Sequence, residues 1–400
     1  MEVKQIASLV NEALGETLGE TAVLLEDLSN VVDMGKAVFD ADAVDKYAKS
    51  LINHIGKVVF VDRPYRGIAP SVLMDAWEFG SVLEKCQMEL PDATENESWE
   101  LENGVSYDPN VFYKPIISAK FFNNKTTFEV PISITELQVK QSFSNAEQLS
   151  SFIGMIFNAI EKVMTKSFDN LILRTINNMT GETLYDEFST GAYGDSTGIR
   201  AINLLYEYNQ MVGVGNAITA STALHNAGFL RFATERMGLV KNRLRGLSTL
   251  FNVGGKERQT PEDLLHTVFL ADFVKACESN LYSDTFHEEY VKAPNADTVP
   301  YWQGSGLDYG FGSVSKINIK TSANHTIEAG GILGVMFDRD ALGVFNRNKR
   351  TTSNYNPKAE FTNYWFKEDG HYFNDLDENF VVFYIADATA TTSDDEDDND

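Results

Sequence analysis

Cysteine, positive charge and long apolar runs are all scarce in this 400-residue chain. The two cysteines, Cys86 and Cys277, lie far apart and outside any metal-ligand or redox spacing. That excludes a disulfide scaffold, and both are expected as buried small hydrophobes in a reducing compartment. Lys and Arg number 33 against 58 Asp and Glu, for a net charge of −25. Tight phosphate-backbone binding draws on clustered Lys and Arg, so the charge argues against a dedicated nucleic-acid binder. It fits a soluble, self-repelling surface instead. No apolar run reaches the ~18 residues of a membrane span, and the opening MEVKQIASLVNEALGE lacks the basic start and apolar core of a signal peptide. The expectation is a cytoplasm-like setting with no membrane partner.

What is present is core material. Hydrophobic residues make up 43%, with 26 Phe and 16 Tyr, enough for two or three domains. The most ordered stretch is 144–181. Ser144 and Glu147 have the S-x-x-E spacing of a capping box. Leu149, Phe152, Ile153, Ile156, Ile160, Val163, Met164, Leu171, Ile172 and Ile176 recur at helical intervals, and Gly181 offers a left-handed stop. This predicts one long helix, which needs partners along its length to be stable.

Around it the character changes by segment. Residues 1–56 read as short amphipathic helices, with Ile6, Leu9, Val10 and Leu14 on one face and Val44, Tyr47, Leu51 and Ile55 on another. They are expected to pack on neighbours rather than form a compact domain. From 61 to 113 the chain reads as an extended two-stranded excursion with an acidic tip, ATENESWELENG, polar enough to sit in solvent or on a neighbour. A loop of that length tends to be functional. After the long helix come helical and strand-like pieces; Thr260, Pro261 and Asp263 read as a helix start. Strand-like runs close the chain before the low-complexity acidic end ATATTSDDEDDND, which is expected to be disordered. Strands before the helix and near the end are free to pair, giving an α+β architecture on discontinuous segments.

The chain carries no recognisable catalytic motif. No two of the six histidines sit four apart, and His287-Glu288-Glu289 lacks the second His of H-E-x-x-H. Glycine-rich runs lack the G-K-[ST] of a P-loop, and no G-x-S-x-G occurs. Asp375-Leu376-Asp377-Glu378-Asn379 begins like a calcium loop, but Phe380 stands where the turn needs Gly and the closing Glu is absent. Asp338 and Asp340 could form a catalytic carboxylate pair, though between two strands they read better as a turn with a surface ion pair. No catalytic, cofactor-binding or metal residue is assigned.

The order of segments carries more information than any motif. Val130-Pro131-Ile132-Ser133, then Glu136-Leu137, Ser142 and a long helix with Asp169 in its second half resemble the major capsid proteins of tailed bacteriophages. The closing run from GVMFDRDALGVF to FVVFYIA is similar, more narrowly, to those of short-tailed phages of Gram-positive bacteria. The resemblance implies an N-terminal arm (1–60), an extended E-loop (61–113), a P-domain with the spine helix (114–199, helix 145–180), an inserted A-domain (200–340), P-domain return strands (341–387) and a disordered acidic tail (388–400). It implies a non-enzymatic subunit that self-assembles through hexamers and pentamers into the icosahedral head shell around packaged double-stranded DNA. It further implies a separate scaffolding protein, a portal protein, no sequence-specific DNA contact, and a place in the virion after assembly in the host cytoplasm. Some of these families cross-link Lys to Asn. Lys85, Lys114 and Lys120 lie near the loop, but nothing singles one out. An encapsulin-like compartment shell shares the fold, and a carboxylate-based hydrolase is the remaining alternative.

Overall fold

The computed structural model describes residues 3–19, 22–61, 83–88, 114–189, 193–281, 296–302, 317–321 and 325–388, with Val72, Asn110 and Phe112. Most of the expected loop, including its acidic tip, and the last twelve residues lie outside them. The chain opens with helices α1 (Val3–Leu18), α2 (Val31–Asp40) and α3 (Val44–Val61). Strands β1 (Leu83–Met88) and β2 (Ile117–Phe122) pair with each other, and β3 (Asn124–Thr135) leads to the short α4 (Glu136–Ser142). The long helix follows as α5 (Ala146–Phe188). The apolar stripes predicted for the arm are its buried faces: Ile6, Leu9, Val10 and Leu14 on α1, and Tyr47, Leu51 and Ile55 on α3. They share one core with Leu149–Met164 of α5 and with β3. The arm thus packs on its own chain, where α5 and β3 supply the apolar surface its stripes need.

At 43 residues α5 is longer than its sequence signals, spanning about 65 Å. Asn145, not Ser144, is its cap, with the side chain accepting from Gln148 N at 2.8 Å. The reciprocal capping box belongs to α4, where Thr135 and Gln138 serve each other's backbone N–H. The helix runs through Gly181 and stops at Ser189, whose φ is 57°. Burial explains the extension. Thr175, Thr180 and Thr183 are buried and return their hydroxyls to carbonyls one turn back, so the last turns need no solvent face. Val163, read as part of the apolar stripe, is exposed instead.

The remainder begins with β4 (Ala201–Asn203), α6 (Leu204–Val212), α7 (Ala220–Ala223) and α8 (Ala227–Leu244). Next come β5 (Leu265–Leu270), α9 (Ala271–Leu281), β6 (Ala296–Val299), β7 (Ile317–Lys320) and β8 (Thr326–Ala329). The chain finishes with β9 (Ile332–Asp338), β10 (Leu342–Asn356), β11 (Phe361–Asn374) and β12 (Phe380–Tyr384). The helix expected from Thr260 begins only at Ala271, and the stretch before it is a turn and the strand β5. β-Branched and aromatic residues in LHTVFL outweigh the cap signal, and Thr260 is buried, accepting from Asn379 Nδ2 at 3.0 Å.

Two sheets organise these pieces. One is antiparallel in the order β10-β11-β3, so a strand before the long helix pairs with one near the end of the chain. The other runs β4-β12-β9-β5-β6. The last strand therefore joins the second sheet rather than the return strands expected over 341–387. Every residue of Phe380–Tyr384 is buried, and a strand apolar on both faces needs an interior place. The second half of α5, Phe168 to Leu184, packs in the core of this five-stranded sheet. One helix therefore carries two cores, the arm's at its start and the sheet's at its end.

Candidate assembly joint at the base of the loop

Strand β1 lies inside the expected loop, 61–113, and pairs with β2, which lies just beyond it. On β1, Lys85 and Gln87 are half-buried while Glu84, Cys86 and Met88 face out. Cys86 is thus exposed, contrary to expectation, and a hydrogen bond to Glu84 pushes its thiol up. The register sets Lys85 directly opposite Lys120. Like charges facing each other across a ladder are destabilising, so this pairing needs carboxylates between them.

The turn between β11 and β12 supplies them. Asp375 is fully buried and bridges the two lysines: Oδ2 lies 2.9 Å from Lys85 Nζ and Oδ1 lies 2.8 Å from Lys120 Nζ. Lys120 also pairs with Asp377 at 2.5 Å, and Lys85 with Glu378 at 2.7 Å. Arg258, from the segment between α8 and β5, donates to Glu378 at 3.1 Å and to Gln87 Oε1 at 2.5 Å. Gln87 in turn donates to Glu378 at 3.2 Å. Three cations face three carboxylates, so the charge closes locally. An aromatic contact, Phe122 on Phe373 at 5.4 Å, backs the joint.

The turn is held from both sides. Asp375 N donates to Ala341 O at 2.7 Å, and Asp377 N donates to Asp375 Oδ1 at 3.2 Å. Gly254 N donates to Leu376 O, and Phe380 N to Phe251 O. Burial pushes the Asp375 carboxyl up, but the bonds from Lys120 and Lys85 outweigh it and hold the group below its ordinary range. Burial pulls Lys120 down, and its bonds to Asp375 and Asp377 reverse that, leaving it raised. Both groups stay charged at neutral pH.

The calcium-like turn is therefore filled by lysine and arginine side chains. Among the described residues, no cluster of three or more His, Cys, Asp or Glu is arranged for a metal ion. Lys114 is exposed and takes no part in the cluster. Asp338 is buried rather than part of a surface ion pair. Burial raises its carboxyl, and Oδ1 accepts from Asp340 N at 2.9 Å, a turn closure rather than a carboxylate pair. No described helix is long and apolar enough to cross a membrane. Arg258 and Gln87 carried no sequence signal, because their partners lie more than a hundred residues away.

Comparison with solved structures returns phage capsids. That of Staphylococcus phage Andhra matches at TM-score 0.50 with 10% identity, over 81% of this chain and 84% of that one. That of cyanophage P-SCSP1u gives TM-score 0.45 with 10% identity, over 80% of this chain and 87% of that one. At such identity the Andhra likeness shows the fold, a tailed-phage capsid fold of mixed helix and sheet. Comparison with curated proteins gave no match. The family comparison adds the role, because it follows the chain through arm, ladder, long helix and both sheets. Residues 6–384 match the Phi29-like phage major capsid protein family, and the chain belongs to that family: it is a structural subunit of the phage head shell.

Proposed function

We propose that this shell subunit assembles as pentamers and hexamers of itself, in the host cytoplasm, on a separate scaffolding protein and with a portal protein at one vertex. The shell encloses DNA without sequence-specific contact, and the subunit does no catalysis. The working division follows the segment order: arm 1–60, loop 61–113, peripheral domain 114–199 with 341–374, and an inserted domain 200–340 that also takes the last strand.

The observation that supports this reading is the two-sided character of the ladder. Its inner side is clamped by the joint. Its outer side leaves Ile117 and Phe121 at 67% and 64% exposure, with Ile116 beside them at 61%. Apolar side chains on a firmly held projection are what an association surface offers. An acidic subunit also leaves packaged DNA free to slide, which is consistent with the net charge of −25.

Electron microscopy of the chain, expressed alone and with a candidate scaffolding protein, tests the proposal. Closed particles, or rings of five and six, are expected. Removing residues 75–103 should leave a folded subunit that no longer assembles; unchanged assembly by that variant refutes the role given to the loop.

A further inference from the structure

In a chain of net charge −25, one stretch is basic: residues 227–258 hold seven Lys and Arg against two Glu. This stretch forms one wall of a groove of about 590 Å³, whose other wall is the run 197–202 between α5 and β4. The floor and rim are apolar, with Ile199, Ile202, Val240, Leu247, Leu250 and Phe251. Ile199, Leu247 and Leu250 are exposed, although each has an apolar neighbour to pack against. Arg236 inside the groove is already matched by Glu207, at 2.6 and 2.9 Å. Arg243 at its edge is exposed and its guanidinium has no ion pair among the described residues; Arg245 stands exposed beside it. The groove therefore offers an apolar trough with positive charge along one lip, that of Arg243 unpaired among the described residues and that of Arg245 partly offset by Glu262. Its volume suits one or two large side chains, within the roughly 300–1,000 Å³ of ordinary binding pockets.

The matching occupant is a short peptide that alternates apolar and acidic residues. One segment of this chain has that composition: Glu95-Asn96-Glu97-Ser98-Trp99-Glu100-Leu101-Glu102, the acidic tip of the loop. In an extended bound form, Trp99 and Leu101 fall on one side, while Glu100 and Glu102 fall on the other. The C-terminal tail is as acidic, but its acidic run holds no apolar residue for the trough. We propose that the groove between 197–202 and 246–251 receives the acidic loop tip of a second copy, Trp99 and Leu101 entering the trough and the glutamates meeting Arg243 and Arg245. The contact is heterologous, joining two different surfaces of identical subunits, and such contacts propagate into rings. This deepens the shell reading and rests on it.

The test is fluorescence anisotropy of a labelled peptide of residues 93–104 titrated with the unassembled full-length subunit, with particle formation scored separately by microscopy. Saturable binding is expected. It should weaken at least tenfold with the peptide carrying Trp99→Ala, and at least tenfold with the Arg243→Glu, Arg245→Glu subunit. It should also weaken as salt rises, since the charged lip is solvent-exposed. Ile199→Ser, at an exposed position, gives a second subunit variant whose unchanged melting temperature certifies the fold. No saturable binding, or equal binding by a peptide of residues 389–400, overturns the proposal. Binding seen only once the subunit's own residues 93–104 are removed places the tip in its own groove and overturns the second-copy assignment. Particles that form normally with Arg243→Glu, Arg245→Glu refute this contact while leaving the shell reading intact; a wild-type chain that forms none refutes the shell reading itself.

Discussion

Replacing Lys85 and Lys120 with Met, singly and together, should expose the joint as one unit rather than two bonds. Met keeps most of each apolar stem and removes the ammonium. An ion pair between exposed groups contributes only about 0–1 kcal/mol, but Asp375 is 0% exposed. Lys85 and Lys120 are 19% and 34% exposed, so the full cost of an isolated buried charge is discounted. Either single variant leaves Asp375 one cation, and the expected loss is about 1–2 kcal/mol. The double variant leaves a buried carboxylate with none, for which about 3–5 kcal/mol is the range. The double loss should exceed the sum of the singles by about 1 kcal/mol, beyond the roughly 0.3–0.5 kcal/mol within which independent sites add. Adding Asp375→Asn to the double variant removes the orphaned charge and should recover part of the loss. Urea unfolding of the unassembled subunit measures these terms. Hydrogen exchange should show faster exchange across Leu83–Met88 and Ile117–Phe122, with the interior of α5 unchanged. Additive losses, or a ladder whose exchange does not move, refute the reasoning.

The same joint fixes a pH dependence. Asp375 is held below its ordinary value of 3.8, so its contribution is complete above that value and is lost as pH falls through the lower folded one. Lys120 is held above its ordinary 10.5, so its contribution is complete below that value and is lost as pH rises through the higher folded one. Wild-type ladder protection should therefore stay level from about pH 5 to pH 9 and fall only outside it.

Three further outcomes test local geometry. Gly331 has φ +69°, and an added Cβ would overlap the Ile385 carbonyl, so Gly331→Ala should destabilise by about 2–3 kcal/mol; Gly15→Ala, inside α1 with open space around it, should stabilise by about 0.5–1 kcal/mol, both read from urea midpoints. Cys86 should react with a thiol reagent in the native subunit, and Cys277, buried and with its thiol pushed up to about 12, only on unfolding. Asn145→Ala should cost about 1 kcal/mol through the lost cap and raise exchange in the first turn of α5 alone.

What the sequence revealed was decided within a few turns of chain. The stripes Ile6–Leu14 and Leu149–Ile176, Val163 excepted, bury as their spacing says, because helical periodicity is a local property. Errors arose wherever distant packing outvoted a local signal. Gly181 did not stop α5 because the surrounding core buries that turn, and Thr260 did not start a helix because the central sheet needed Leu265–Leu270 as a strand. Asn145 rather than Ser144 caps α5, a one-residue choice made by backbone geometry that either side chain could have served. The joint is the harder case. Lys85 and Asp375 are 290 residues apart, and each alone read as an incomplete motif: a lysine without a cross-linking partner, and a calcium-like turn without its glycine. Once Leu83–Met88 pairs with Ile117–Phe122, two lysines stand opposite each other, an arrangement that is repulsive until carboxylates are brought between them. The turn at Asp375–Glu378 is a set of carboxylates that lacks the geometry for its metal. Each defect is the other's complement, and only the register of the ladder says so.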